Sequence, residues 1–398
     1  MNGWEPSSFP LPRLMSEFGV QSLPSHSTLA EVYKFPEDAG MFSDLNVHRQ
    51  HHENGNQEIV DEIQNNLHLP NLSDPVENFK SYIYLSQINQ AMTLKTGTEV
   101  FRRLRSTFDN ETGFGNCMGT MYWQFNDLWQ APTWSTIEYV SSKELNTYGF
   151  KWKMAHYFIK NAYAKILMSP FINNQANQLE IYAISDIADQ TIQSTFSLKV
   201  FAYDSFNPVF EQTVSFRIEP LLSKSVYNVS LGDLETFNCF RRSNESSCLI
   251  QIDSTDQNIQ DGSKNFIFLN NRLTDLANLS KAPKVRITNV RKTRDGLFEI
   301  SLETDSIALF VWLDIGVNNF FGIFSDNGFH MTSHNYAVTY QTDDFTVTEA
   351  DISKYLTVKS LTDAYKKPDP FINNASTNDF KLSMFGILFI TLYFIQLM

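Results

Sequence analysis

The residue pattern changes once along the chain, near Pro170, and that change limits the fold more than any other feature. Upstream, helical periodicity alternates with short apolar runs. Residues 79–107 form the longest helical pattern, with Tyr82, Leu85, Ile88, Met92 and Val100 near one face and Arg102, Arg103 and Arg105 in the last turns, where cations suit the helix dipole. GTMYWQF (119–125) reads as a short buried strand, and residues 151–167 read as a second helix. Helix, strand, helix is the rhythm of a parallel α/β sheet. Downstream, QLEIYAISD, TFSLKVFAYD, QTVSFRIEP, NFIFLNN, PKVRITNVRK, GLFEISLETD and YAVTYQTDDFTVTEA alternate polar and apolar residues, with turn formers between them. Ser325-Asp326-Asn327-Gly328 predicts a hairpin turn. Strands at this spacing predict antiparallel β-sandwiches, one over 169–280 and one over 281–366.

Length then raises a difficulty. A (β/α)8 barrel needs ~250 residues, and the α/β part, 1–168, is shorter. It reads as a small open α/β domain or as the last third of a barrel. The formal net charge of −13 argues against general nucleic-acid binding. Three cysteines exclude a four-cysteine zinc site, and Cys239 and Cys248 are close enough in sequence to pair, a bridge worth ~2–3 kcal/mol. No motif points to a metal, nucleotide or organic cofactor.

The two ends carry conflicting signals. The first ten residues hold no apolar h-region, yet Asn71, Asn110, Asn228, Asn244, Asn278 and Asn374 each begin an Asn-x-Ser/Thr triplet. The expectation is a secretory history with a true N-terminus further upstream. In the tail, 367–398, the uncharged stretch 382–398 is at the short end of the ~17–25 residues that span a bilayer. It reads as a membrane anchor, with a lipid-anchor signal or a packed terminal strand as alternatives.

Three segments carry candidate chemistry. In PRLMSEFGVQS (12–22) a short apolar run leads to Glu17, and barrel strands present catalytic carboxylates at such ends; the alternative is a solvated surface carboxylate. HRQHHENGN (48–56) gathers His48, His51, His52 and Glu53 without the zincin order, and reads as a polar loop lining a pocket. YWQFNDLWQAPTW (122–134) mixes three of the six tryptophans with Gln124, Asn126 and Asp127. Indole faces stack on sugar C–H groups, and amides give hydroxyls directional partners; the alternative is that these aromatics are core. Gly115-Asn116-Cys117-Met118-Gly119 imitates a nucleophile elbow, but its strand follows instead of preceding it.

Together SEFGVQS, HRQHHENGN, YWQFNDLWQAPTW, STIEY, KWKMAHYF, FVWLDIG and FSDNGFHMT resemble the C-terminal half of the lysosomal β-mannosidases of glycoside hydrolase family 2, in the family's order, over about residues 4–365. The resemblance implies that residues 1–168 are the last strand–helix units of a (β/α)8 barrel, followed by two immunoglobulin-like β-sandwiches. It implies that Glu17 is the nucleophile of a retaining two-carboxylate hydrolysis, that Trp123 floors the sugar site, and that Gln124, Asn126 and His52 contact a terminal β-mannoside of an oligosaccharide. The family's acid/base glutamate precedes the nucleophile, and the only carboxylate here before Glu17 is Glu5. The chain alone is therefore expected to be inactive. Val20 stands where the family has an aromatic, and 140–150 looks like a loop insertion. The alternative function is a non-catalytic glycan-binding protein held at a membrane by its tail.

Overall fold

A computed structural model of the chain describes residues 2–142, 147–235, 248–254, 264–270, 272–274, 276 and 282–366. The tail segment 382–398, Cys239 and the triplets at Asn244, Asn278 and Asn374 lie outside them. No helix among the described residues is long and apolar enough to cross a membrane.

The first part contains α1 (His26–Leu29), α2 (Asp44–His48), α3 (Gly55–Asn66), the 29-residue α4 (Pro75–Arg103), a hairpin of β1 (Ile137–Ser142) and β2 (Thr147–Trp152), and α5 (Met154–Ala162). Asp74 caps α4 by accepting from the Val76 and Glu77 amides, with Pro75 in the first turn, where its missing N–H costs nothing. The sequence pattern predicted one buried stripe. Instead nearly every side chain from Ser81 to Arg103 is buried, because the helix is packed on several sides. Its charged residues are neutralised internally. Glu99 pairs with Lys95 at 2.8 Å and accepts from Ser169 at 2.6 Å and Asn265 at 3.0 Å. Burial alone would push the Glu99 carboxyl up, but Lys95 and Arg103 bring it below its ordinary value. Arg102 donates to Asp186 at 2.9 Å.

Residues 13–18 and 118–123 run side by side in parallel. The Met118 amide donates to the Arg13 carbonyl, Met15 to Gly119, Met121 to Met15 and Trp123 to Phe18, all at 2.8–3.0 Å, and Met15 bridges Thr120. The long excursion through α1–α4 joins these two segments. The expectation that 119–125 is buried fails on one face: Met121, Trp123 and Phe125 are each more than half exposed, while Thr120, Tyr122 and Gln124 between them are half-buried. The predicted helix over 151–167 is shorter. Its first residues pair in β2 and its last enter the next strand, leaving only Met154–Ala162 helical. Of the stretch 140–150, read as a loop insertion, residues 140–142 and 147–150 pair within the β1–β2 hairpin.

Seven strands follow: β3 (Ile166–Asn173), β4 (Gln178–Ser185), β5 (Ile192–Ala202), β6 (Phe210–Ile218), β7 (Ser223–Ser230), then α6 (Leu231–Glu235), β8 (Cys248–Ser254) and β9 (Lys264–Phe268). They form two antiparallel sheets, β3-β4-β7 and β6-β5-β8-β9. Alternation places Val214, Phe216 and Ile218 inward and Thr213, Ser215 and Arg217 outward. With Leu179, Ile181, Phe196, Leu198, Ile250 and Ile252 they fill the space between the sheets. Cys248 is disulfide-bonded and Cys117 is free.

The last unit has β10 (Val285–Arg294), β11 (Leu297–Thr304), β12 (Ala308–Ile315), β13 (Ile323–Phe324), β14 (Phe329–Met331), β15 (Asn335–Gln341), α7 (Glu349–Tyr355) and β16 (Leu356–Lys359), in sheets β10-β11-β15-β13 and β14-β12-β16. The run 336–350 is not one strand: β15 ends at Gln341, and a capping box between Thr348 and Asp351 starts α7. Ser325–Gly328 turns the chain but closes no hairpin, since β13 pairs with β15 and β14 with β12. Gly328 takes the positive φ of 74°, and the Asn327 amide makes both hydrogen bonds to the Leu313 backbone at 2.8 Å. This unit packs on α4, with Leu85, Ile88, Phe310 and Val311 in one continuous core.

Candidate active site

Glu17 lies near the end of the first parallel segment, one residue before the Phe18 carbonyl that accepts from the Trp123 amide. Its side chain is exposed and makes no hydrogen bond or ion pair among the described residues. The turn after it is tight: a Cβ on Gly19 would stand 2.0 Å from the Trp123 carbonyl oxygen. Only glycine lets the two segments approach this closely. Phe18 stays anchored by edge-to-face contacts with Phe9 and Phe101, at 6.1 and 5.2 Å between centroids. The structure thus brings Glu17 and Trp123 onto neighbouring, parallel pieces of backbone. Trp123 is 51% exposed, and the peptide linking it to Gln124 is cis.

The other candidates divide. His52 stacks on Trp134 at 5.7 Å and 23°, and Trp134 leads back to Gln124, whose backbone N–H donates to the Trp134 carbonyl at 3.1 Å. The loop 48–56 and the tryptophan segment therefore form one surface. Trp129 donates to His51 Nε2 at 3.3 Å, and burial, the largest effect, lowers the His51 pKa. Arg49 covers the Trp129 ring at 4.0 Å. The Gln124 side chain donates to the Asn126 carbonyl and the Asn126 side chain to the Asp127 carbonyl, at 2.7 and 2.9 Å. Both amides shape the loop through these donors and keep their oxygens as acceptors. The sequence singled out the histidines of 48–56, but Gln50 is the anchor there: it accepts from Gln21 at 2.8 Å and donates to Asn56 at 2.8 Å.

A buried polar layer beneath this surface was not foreseen. Lys153 is wholly buried, with Nζ 3.2 Å from Thr133 Oγ1, 3.5 Å from the Ser22 carbonyl and 3.9 Å from Asp127. Asp127 accepts from the hydroxyls of Thr133 and Ser135. Ser22 pairs with Thr133 through both backbone bonds. From α4, Gln90 accepts from the Ser22 hydroxyl at 2.7 Å and turns its amide nitrogen to the Val20, Trp134 and Ser135 carbonyls. Glu138, also buried, accepts from the Ser25 amide at 2.7 Å, and burial pushes its carboxyl up to about 6. These residues clamp the Glu17 segment to the tryptophan segment. Their only sequence signal is charged or amide residues spaced as if on a surface. Among the described residues no cluster of three or more histidines, cysteines or carboxylates could hold a metal.

The fold resembles the crystal structure of a β-D-mannosidase from Dictyoglomus thermophilum, with a TM-score of 0.65 and 19% identity over 87% of this chain and 37% of that one. It also resembles the exo-chitosanase CsxA of Amycolatopsis orientalis, with a TM-score of 0.60 and 15% identity over 88% of this chain and 42% of that one. At such identities the likeness is one of fold. Residues 281–364 match the mannosidase Ig-fold domain family. In sequence the chain is 36% identical to the β-mannosidase of Bos taurus and 33% identical to that of Rattus norvegicus, each over 91% of its length. The chain is a homologue of the β-mannosidases and carries their Ig-fold domain. It spans about two fifths of the length of these curated relatives, 39% in each.

Proposed function

We propose that this chain is the nucleophile-bearing portion of a retaining glycosidase that removes terminal β-mannose from oligosaccharides. The observation that carries the reading is Glu17: an exposed carboxylate, free of partners among the described residues, at the end of a segment paired in parallel with the one bearing Trp123. That pairing supports reading the two segments as adjacent barrel strands, whose C-terminal ends hold catalytic groups. Glu17 attacks the anomeric carbon and forms a glycosyl ester as the bond to the leaving oxygen breaks. A second carboxyl, ~5–5.5 Å away in retaining enzymes, protonates that oxygen and then takes a proton from the attacking water. Trp123 stacks on the apolar face of the sugar, and Gln124, Asn126 and His52 orient its hydroxyls. Asn71, Asn110 and Asn228 are exposed and Cys248 is disulfide-bonded, which supports passage through the secretory route to a lysosomal site.

The 398 residues assayed by themselves lack a separate strand end for the proton donor, because Glu5 lies in the same approach segment as Glu17. Loss of a general acid costs ~10²–10⁴-fold, so their turnover of an aryl β-mannoside falls at least that far below an intact relative. A 2-fluoro mannosyl fluoride tests the nucleophile when the chain is assembled with an acid/base-bearing segment. The expected result is a covalent adduct on the peptide containing Glu17, absent in Glu17→Gln. An adduct on another carboxylate overturns the assignment. Full turnover by the 398 residues alone, abolished by Glu17→Gln, overturns the two-part reading.

A further inference from the structure

A cavity of about 280 Å³ lies where α4, α5, the β8–β9 edge and the 326–336 segment meet. None of the candidate active-site residues lines it. Its wall carries two hydrogen-bonded relays, each ending in a carboxylate. In one, Lys264 donates to the Tyr336 hydroxyl at 3.2 Å and Tyr336 donates to Asp326 at 3.0 Å. In the other, Thr332 donates to the Gln251 side-chain Oε1 at 3.0 Å, and Gln251 Nε2 donates to Asp253 at 2.8 Å. Both carboxylates are partly buried, and that burial raises their pKa values. A carboxylate offers about four lone-pair sites, and neither relay fills them. The cavity therefore presents acceptor capacity that hydroxyl donors can use.

Charge and size narrow the ligand. The lining holds Lys95 and Lys264 against Glu99, Asp253 and Asp326, one net negative charge, and Lys95 is already committed to Glu99. His330 adds no charge, since burial lowers its pKa to about 3. An anion is disfavoured. No set of three carboxylate, histidine or cysteine groups for a metal occurs among the described residues. Phe158, Phe266 and Phe329 supply apolar wall for C–H faces. The volume is just below the ~300 Å³ at which drug-sized pockets begin, room for one ring and not for a chain of them. We infer that this junction binds a neutral polyhydroxylated ring of monosaccharide size, held by Asp253 and Asp326 between the two β units and α4.

Titration calorimetry of the full chain with D-mannose and with myo-inositol tests this. Wild type and Glu17→Gln are expected to bind at least one of the two saturably and equally, so the inference stands or falls apart from the nucleophile assignment. Asp253→Asn and Asp326→Asn are expected to weaken binding about tenfold or more, the usual effect of losing a charged hydrogen-bond partner. Ser333, exposed at the edge of the cavity, provides a block that leaves the relays intact: Ser333→Trp is expected to abolish binding with an unchanged unfolding midpoint. No saturable binding of either probe to wild type overturns the inference. Full affinity in Ser333→Trp, or loss of binding in Glu17→Gln, does the same.

Discussion

Replacing Lys153 by Met keeps the length of the side chain and removes its charge. The Lys153 ammonium is wholly buried, 3.9 Å from Asp127. At an effective dielectric of about 20, two unit charges at that separation attract by about 4 kcal/mol. Much of that attraction offsets the desolvation of the two ions, so the net worth of the pair is small, but removing one partner strands the other. Breaking a buried pair from one side costs ~3–5 kcal/mol. Asp127 keeps the Thr133 and Ser135 hydroxyls, which softens the loss, so about 3 kcal/mol is expected. Urea unfolding followed by tryptophan emission measures it, because Trp123, Trp129 and Trp134 all sit on the clamped segment. The double variant Lys153→Met/Asp127→Asn removes both charges and is expected to be more stable than Lys153→Met alone. A loss below about 1 kcal/mol in Lys153→Met, or strictly additive losses in the double variant, would refute the argument that this pair carries buried charge.

Three further outcomes are expected. Gly19→Ala drives a methyl group against the Trp123 carbonyl, 2.0 Å from the ideal Cβ; a backbone atom cannot yield cheaply, so a loss of roughly 1–3 kcal/mol and a shifted tryptophan emission maximum follow. Tyr84→Phe deletes the donor to the buried Phe310 carbonyl and costs ~1–3 kcal/mol, read as an earlier thermal transition. Glu138 has its carboxyl pushed from 4.5 up to about 6. Its folded state holds the proton more tightly than the unfolded state, so its stabilising contribution is full below about pH 4.5 and is lost as pH rises through about 6. That contribution is worth ~2 kcal/mol, and Glu138→Gln should flatten this part of a stability–pH curve, as measured by denaturant midpoints.

How much the sequence revealed depended on whether a residue's partners lie near it along the chain. The strands of Val214, Phe216 and Ile218, or of Phe298, Ile300 and Leu302, alternate every second residue, and that period survives in any context. The long helix was equally plain, though it was read at 79–107 and spans Pro75–Arg103; its burial was not. Arg102 and Arg103 read only as cations suited to the helix dipole, and Lys95 and Glu99 carried no reading, until Ser169, Asp186 and Asn265, 66 or more residues away, come to meet them. The same holds at the candidate site. Glu17 and Trp123 were legible from apolar runs and aromatic–amide mixing, whereas Lys153, Asp127 and Gln90 gain their roles only when the chain crosses itself. The hairpin of β1 and β2 was not read from the sequence, where 140–150 looked like an inserted loop.

The burial of α4 on several sides has a practical consequence. Tyr84, Leu85 and Ile88 face Phe310 and its neighbours in the terminal β unit, while Gln90 of the same rod grips the carbonyls behind Trp134. The Ig-fold domain is thus no detachable module. A protease nick or a stop codon near residue 281 would bare a greasy flank on the helix that holds the Glu17 and tryptophan segments in place, and damage far from Glu17 would be felt as a slackening there.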